Sequence, residues 1–206
     1  MLPQIGKKSL FSEIIYTGLA DKPKYISAGG KLIDLTIPKV MGIINITPDS
    51  FYNGSRASGD AEVIALAEKM LRDGADILDI GGYSSRPRAD DITVEEESRR
   101  VLNAISLVRK EFPGAIISVD TFRAEVAQKA VSVHGANIIN DISGGETDEK
   151  MFEVVARLNV PYIMMHMKGN PRTMQDNPQY EDVVADILMW FGKRIVKLQD
   201  KGVKDI

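Results

Sequence analysis

Five short stretches of this chain gather residues that could do chemistry. The first is Asn45-Ile46-Thr47-Pro48-Asp49-Ser50-Phe51, which sets an amide, a hydroxyl, a carboxylate and an aromatic ring within seven positions. The others are Asp79-Ile80-Gly81-Gly82-Tyr83-Ser84-Ser85-Arg86-Pro87, Asp120-Thr121, Asn140-Asp141-Ile142-Ser143-Gly144-Gly145 and Met165-His166-Met167. Carboxylates and amides can pair with the N–H groups of a flat heterocycle, and oxygen donors suit a hard cation such as Mg²⁺. Each residue also has a plainer reading. Asn45 either caps its own loop or offers its oxygen to Mg²⁺. Asp120 either caps the next helix or accepts from paired ring N–H donors, with Asn140 as a matching donor and acceptor. Gly81-Gly82 and Gly144-Gly145 read as turns, since neither ends in the Gly-Lys-Ser/Thr of a phosphate loop. Arg86 is either a solvated loop charge or a partner for Asp49. His166 reads as a structural histidine, because no His–His or His–carboxylate spacing suggests zinc. Met164, Met165 and Met167 read as core filler, although one facing a site would suit a flat ring.

These stretches need a scaffold that brings them together. β-rich apolar runs at 40–46, 77–80, 116–119, 137–140 and 162–165 alternate with longer amphipathic segments. Each polar stretch follows such a run directly. That order predicts successive βαβ units, a parallel sheet, and all five polar stretches at its carboxyl end. Helix punctuation agrees. A helix over 61–72 can close at Gly74 in the left-handed region. Thr93 and Glu96 form a capping box for a helix that stops before Pro113-Gly114. Further helices are predicted over about 123–133 and 148–158, and one from Pro178 towards Gly202. Ahead of the first parallel strand, Tyr25-Ile26-Ser27 and Lys31-Leu32-Ile33-Asp34-Leu35 flank Ala28-Gly29-Gly30 as a β-hairpin that could plug one end of a barrel. The last residues, Val203-Lys204-Asp205-Ile206, look like the entry to a sixth strand.

Bulk properties narrow the field. The 206 residues are 44% hydrophobic and 27% charged, ordinary for a folded domain with a substantial core. A net charge of −3 with scattered basic residues gives no nucleic-acid footprint. The absence of cysteine excludes disulfides and thiolate metal sites. No apolar run approaches the roughly 20 residues of a membrane span. A soluble cytoplasmic protein is the expectation.

In this order the residues resemble dihydropteroate synthase, a family of pterin-binding TIM barrels. The resemblance runs from about Lys24 to the last residue. It is carried by Asn45-Ile46-Thr47-Pro48-Asp49-Ser50-Phe51, Ser84-Ser85-Arg86-Pro87, Ser118-Val119-Asp120-Thr121, Ile139-Asn140-Asp141-Ile142-Ser143-Gly144-Gly145 and Met165-His166-Met167-Lys168-Gly169-Asn170-Pro171. It implies an α/β fold, a TIM (β/α)₈ barrel that is incomplete here: about five strand–helix units plus the hairpin, in a barrel domain 23–206 after an extension 1–22. It implies condensation of (7,8-dihydropterin-6-yl)methyl diphosphate with 4-aminobenzoate to dihydropteroate and diphosphate, a step of folate synthesis and a sulfonamide target. In that reading Asn45 is the Mg²⁺ ligand near the diphosphate. Ser85, Asp120, Asn140, Ile142 and Met165 form the pterin pocket, with Ser85 where the family usually has Thr. Thr47, Pro48, Asp49, Phe51, Arg86 and Pro87 lie on loops that shelter the aminobenzoate. Asp120 is the expected catalytic group, its carboxylate stabilising positive charge that develops in the pterin as diphosphate departs. An SN1-like substitution without covalent enzyme intermediate is implied, behind closing loops that exclude water.

The sequence departs from the family pattern at Tyr83, where Glu is frequent, and at Arg88, where Gly is frequent. The chain ends where the family continues with a further pterin-binding Asp, a glycine-rich Lys loop and a late Arg-x-His clamp. The expectation is that this chain alone is inactive, with a homodimer formed by the full-length protein. Two other readings share the fold: a pterin- or methyl-folate-binding module of a methyltransferase, and a non-catalytic paralogue. The 47–51 and 85–87 segments favour the synthase.

Overall fold

A computed structural model describes residues 24–46, 56–84, 91–171 and 173–206. The hairpin is β1 (Tyr25–Ala28) and β2 (Lys31–Asp34). The alternation that follows is β3 (Met41–Asn45), α1 (Arg56–Arg72), β4 (Ile77–Gly81), α2 (Val94–Glu111), β5 (Ile116–Asp120), α3 (Ala124–Ser132), β6 (Ile138–Asp141), α4 (Met151–Leu158), β7 (Tyr162–Met164) and α5 (Val183–Asp200). Strands β3 to β7 pair in chain order, every pair parallel, so helices α1 to α4 are crossovers between neighbours.

The period of two along each strand divides its residues between two faces. Ile44, Leu78, Ile80, Ile117, Val119, Ile139 and Tyr162 fall on the helix side, where they bury against Val63, Ala67, Val101, Ile105, Val108, Val126, Ala127 and Val155. Each buried valine, leucine or isoleucine among them contributes roughly 1.5–3 kcal/mol of burial. The other face carries Met41, Ile43 and Asn45 on β3, Ile77, Asp79 and Gly81 on β4, Ile116, Ser118 and Asp120 on β5, and Ile138 and Asn140 on β6. It is apolar at the amino ends and polar at the carboxyl ends.

The hairpin covers the amino ends, as expected of a plug. Ala28 and Ile33 pack with Met41, Ile77, Ile116 and Ile138 in a small second cluster. Its two-residue loop, Gly29-Gly30, has φ of +59° and +73°, the pair of positive values that a type I′ turn demands. A β-carbon on Gly29 would lie 2.8 Å from Asn137 Nδ2, so the turn sits directly on the start of β6.

Several boundaries differ from the sequence expectation. Helix α1 begins at Arg56, ahead of the predicted 61. Helix α5 begins at Val183, beyond Pro178, because Asp182 is a better cap: its Oδ1 accepts from Val184 N at 3.0 Å and Ala185 N at 3.1 Å. Helix α4 begins at Met151 rather than 148; Asp148 stands just before it, Oδ1 accepting from Lys150 N at 3.0 Å while Oδ2 accepts from Ala124 N at 2.8 Å and caps the neighbouring α3. The capping box is as predicted, with Glu96 N donating to Thr93 Oγ1 at 3.2 Å. Gly74 (φ +105°) and Gly202 (φ +85°) end α1 and α5 in the left-handed region.

Among the described residues β3 and β7 do not pair with each other, so the sheet is an arc of a barrel and not a closed one. The final residues run beside β7, where Tyr162 N donates to Asp205 O at 2.9 Å. Ser27 N donates to Asp205 Oδ2 at 2.9 Å, which ties the hairpin to that same segment. No described helix is long and apolar enough to cross a membrane.

Candidate functional site

Strand register sets the geometry of the site. Asn45 pairs with Gly81, Gly81 with Asp120, Asp120 with Asn140, and Asn140 with Ile163. Asn45, Asp120 and Asn140 therefore stand in one row across the carboxyl end of the sheet, on one face, as the sequence expectation required. Glycine in that row makes room. A β-carbon on Gly81 would lie 3.0 Å from Asp120 Oδ2, so the carboxylate leans across the position where a side chain would stand.

Asp120 is not a helix cap. The N-cap of α3 is Arg123, which has no side-chain cap bond, and the first helical N–H goes to Asp148. Its carboxyl is instead pushed up to about 7, first by burial and then by the nearby carboxylates of Asp79, Glu97 and Asp141. Perturbation of this size by several acids at a strand end marks a candidate functional group. One layer deeper lies Asp79, only 3% exposed, paired in register with Ser118. Asn140 Nδ2 donates to Asp79 Oδ2 at 3.0 Å. Burial raises the Asp79 pKa, although Ser118 and Asn140 act to lower it.

Beside the row, Glu97 is fully buried and accepts from Thr121 Oγ1 at 2.5 Å. Burial raises its pKa, against the opposing pull of Thr121 and Arg123. Arg123 Nη1 stands 2.9 Å from Glu97 Oε2, and Arg123 Nη2 donates to Ile92 O at 2.6 Å. Its guanidinium also lies over the rings of Tyr83 and Phe122, which meet edge to face with centroids 4.9 Å apart. Tyr83 and Ile92 flank the 85–90 segment, so Arg123 joins both of its stems to the end of β5.

Asp141 is structural. Its carboxylate accepts from Ser143 N at 2.7 Å, Ser143 Oγ at 2.8 Å, Gly145 N at 2.9 Å and Tyr162 Oη at 2.7 Å. This folds the loop carrying Ile142, which is half-buried beside the row. Gly144 and Gly145 are more than turn residues, since β-carbons there would meet Trp190 at 2.2 Å and Phe152 at 2.3 Å. Met165 follows β7 and is 38% exposed, while Met167 is buried as core filler. His166 stacks edge-on against Trp190 with centroids 5.0 Å apart, a structural role as expected. A separate groove of about 380 Å³ lies between His166, Tyr180 and α5. Of its two acids, Glu146 and Asp186, Glu146 is already held by Trp190 Nε1 at 3.0 Å and by Arg194.

Thr47, Pro48, Asp49, Phe51, Ser85, Arg86 and Pro87 lie outside the described residues. Among those described, no cluster of three acidic or histidine side chains could hold a metal ion. Asn45 is exposed at the mouth, so a cation there would draw one hard oxygen from it and the rest from ligand and water. Sequence reasoning gave no role to Asp79, Glu97 or Arg123. Only Asp79 left a signal, as a lone acid inside the apolar run 77–80.

Comparison with known proteins gives this geometry its context. Residues 41–206 match the family model described as "Pterin binding enzyme". Dihydropteroate synthase of Haemophilus influenzae is 42% identical over 177 residues, covering 86% of this chain and 63% of that protein. The mitochondrial folate synthesis bifunctional protein of Pisum sativum is 45% identical over 168 residues, 80% of this chain and 32% of that protein. The structure of Xanthomonas albilineans dihydropteroate synthase with 4-aminobenzoic acid superposes with a TM-score of 0.78 at 37% identity, covering 89% of this chain and 64% of that one. The chain thus spans less than two thirds of the relatives it matches.

Proposed function

The chain belongs to the pterin binding enzyme family, within it to the dihydropteroate synthases, and on that premise we propose that it carries the pterin half of a dihydropteroate synthase site. The reaction condenses (7,8-dihydropterin-6-yl)methyl diphosphate with 4-aminobenzoate. The C–O bond to diphosphate breaks, a C–N bond to the arylamine forms, and the amine gives up one proton. The observation that supports this most is the row itself: Asp120 leaning over Gly81, beside an Asn140 amide already turned by Asp79.

In this proposal ionised Asp120 accepts two N–H bonds from one edge of the pterin, which orients the ring as well as binding it. Asn140 adds a further contact, and Ile142 and Met165 supply apolar walls. The Asp120 charge then faces a ring that gains positive charge as diphosphate departs, an interaction stronger in the transition state than before it. Ser85 joins the pterin pocket, and Thr47, Pro48, Asp49, Phe51, Arg86 and Pro87 shelter the aminobenzoate. Asn45 would hold Mg²⁺ together with diphosphate oxygens, and the ion when bound would offset the charge of the leaving group. A cytoplasmic setting, the expectation from a sequence with no apolar run of membrane-spanning length, and a homodimer, resting on the family resemblance, complete the proposal.

Fluorescence titration with 6-hydroxymethylpterin tests the reading. Wild-type chain should bind it, with affinity reduced at least about 100-fold in Asp120→Ala, the loss expected for a charge-assisted bidentate pair. Equal titrations of wild type and variant would overturn the assignment. A longer protein that binds (7,8-dihydropterin-6-yl)methyl diphosphate but releases no diphosphate on addition of 4-aminobenzoate would point to a binding module instead.

A further inference from the structure

We infer that Asp79 is a positioning residue for the ligand site, one that holds the Asn140 amide with its nitrogen inward so that its oxygen is the atom offered to a ligand. The inference rests on the pterin reading above and deepens it. An amide can present either of two chemically opposite ends, and its shape does not decide which. An ionised carboxylate can only accept, so an amide that meets one must turn its N–H₂ towards it. Asp79 does this from below: Asn140 Nδ2 donates to Asp79 Oδ2 at 3.0 Å, in the layer beneath the row. Asn140 Oδ1 is thereby committed as an acceptor for an N–H donor at the mouth. A flat heterocycle with adjacent N–H groups would then meet two acceptors, the carboxylate of Asp120 and the oxygen of Asn140.

Stability gives no comparable reason for an acid at this place. Asp79 sits between Ile43 and Ser118 in the strand register, 3% exposed, and burial raises its pKa even though Ser118 and Asn140 act to lower it. A carboxylate this deeply desolvated costs stability, and a small apolar side chain would fit the surrounding strands without that cost. Asp79 also lies near enough to Asp120 to favour protonation there. Measurements of its positioning role therefore belong at pH 8.5, where Asp120 is ionised in wild type and variant alike.

Asp79→Asn keeps the shape and abolishes the one-way rule, because a carboxamide both donates and accepts. At pH 8.5 it should bind 6-hydroxymethylpterin about 5–10-fold more weakly than wild type, the loss expected for one misdirected hydrogen bond. Asn140→Ala should lose about as much or more. The double variant should be no weaker than Asn140→Ala alone, since Asp79 acts only through that amide. A merely structural Asp79 would make the losses multiply. Wild-type affinity in Asp79→Asn, or multiplying losses in the double variant, overturns the inference while leaving the pterin reading intact. If the wild type itself takes up no pterin, the reading fails, and a ligand-free measurement still decides the inference. Exchange of the Asn140 side-chain amide protons, followed by NMR on ¹⁵N-labelled chain, should then be about tenfold faster in Asp79→Ala than in wild type. Equal exchange rates would show that Asp79 does not hold the amide.

Discussion

The two ends of one sheet are built to opposite specifications. At the amino ends Ile77, Ile116 and Ile138 close against Ala28 of the hairpin. Arg109 stitches the loops there, donating to Ala115 O at 2.9 Å, Gly135 O at 2.8 Å and Asn137 Oδ1 at 2.8 Å. At the carboxyl ends the same strands present Asn45, Asp120 and Asn140 around an absent side chain at Gly81. Asp79 and Asp120 are both harder to ionise there than they would be in water. The first end is a place where packing and hydrogen bonds agree. At the second, like charges and desolvation oppose the fold, and the N–H donors of a bound ligand would relieve them. Strand ends that differ this much in one sheet separate the residues that hold the protein from those that use it.

The contrast can be broken most severely at the sealed end. Ile138 is fully buried, and Ile138→Ala should cost about 2–5 kcal/mol in urea unfolding, the range for a large-to-small core change. Pterin affinity of the folded fraction should stay as in wild type. A loss of affinity matching the loss of stability would mean that the two ends are not separable.

The open end should respond in the opposite sense. The folded-state pKa of Asp120 is raised, so its cost to stability is absent below the unfolded value near 4 and grows as pH rises towards about 7. Asp120→Asn should therefore be more stable than wild type at pH 8 by on the order of 2–4 kcal/mol, and the difference should vanish near pH 3.5. The same variant should lose pterin binding, and wild-type affinity should itself fall as pH drops below about 7 and the carboxylate protonates. Thermal unfolding of both proteins across pH checks the first claim, and titrations at pH 6 and 8 the second. A variant less stable than wild type at pH 8 would contradict the electrostatic account.

Gly81→Ala probes the cradle more gently. Its β-carbon would press on Asp120 Oδ2 from 3.0 Å and displace the carboxylate. Pterin affinity should drop about tenfold, while stability moves by less than about 1 kcal/mol. The smallest change is a control beside the open end but outside the row. Thr93→Ala removes the cap of α2 and should cost about 1 kcal/mol without altering pterin affinity.

The strands were legible because β-branched runs of four to seven residues alternate with capped amphipathic segments, and each was placed within about two residues of its observed position. The hairpin announced itself through Gly29-Gly30. What could not be read was relative height. Register decides whether Asp120 meets Asn140 or a neighbour two residues away, and it arises from helix packing across the α3 crossover. For the same reason the sequence did not show that Asp148 caps a helix other than its own, or that Tyr162 reaches Asp141. Pro178 misled because a good first-turn residue lost to Asp182, whose side chain satisfies two backbone donors. The plain reading of Asp120 as a cap was equally consistent with sequence, and only the cap geometry of α3 removed it.

The most direct measurement of the central claim is a two-dimensional ¹⁵N–¹H titration of this chain with 6-hydroxymethylpterin at pH 8. Shifts concentrated at Asn45, Gly81, Asp120 and Asn140, with Ala28, Ile77, Ile116 and Ile138 silent, are the predicted result. Shifts centred on the hairpin end, or on the groove beside Trp190, would contradict it.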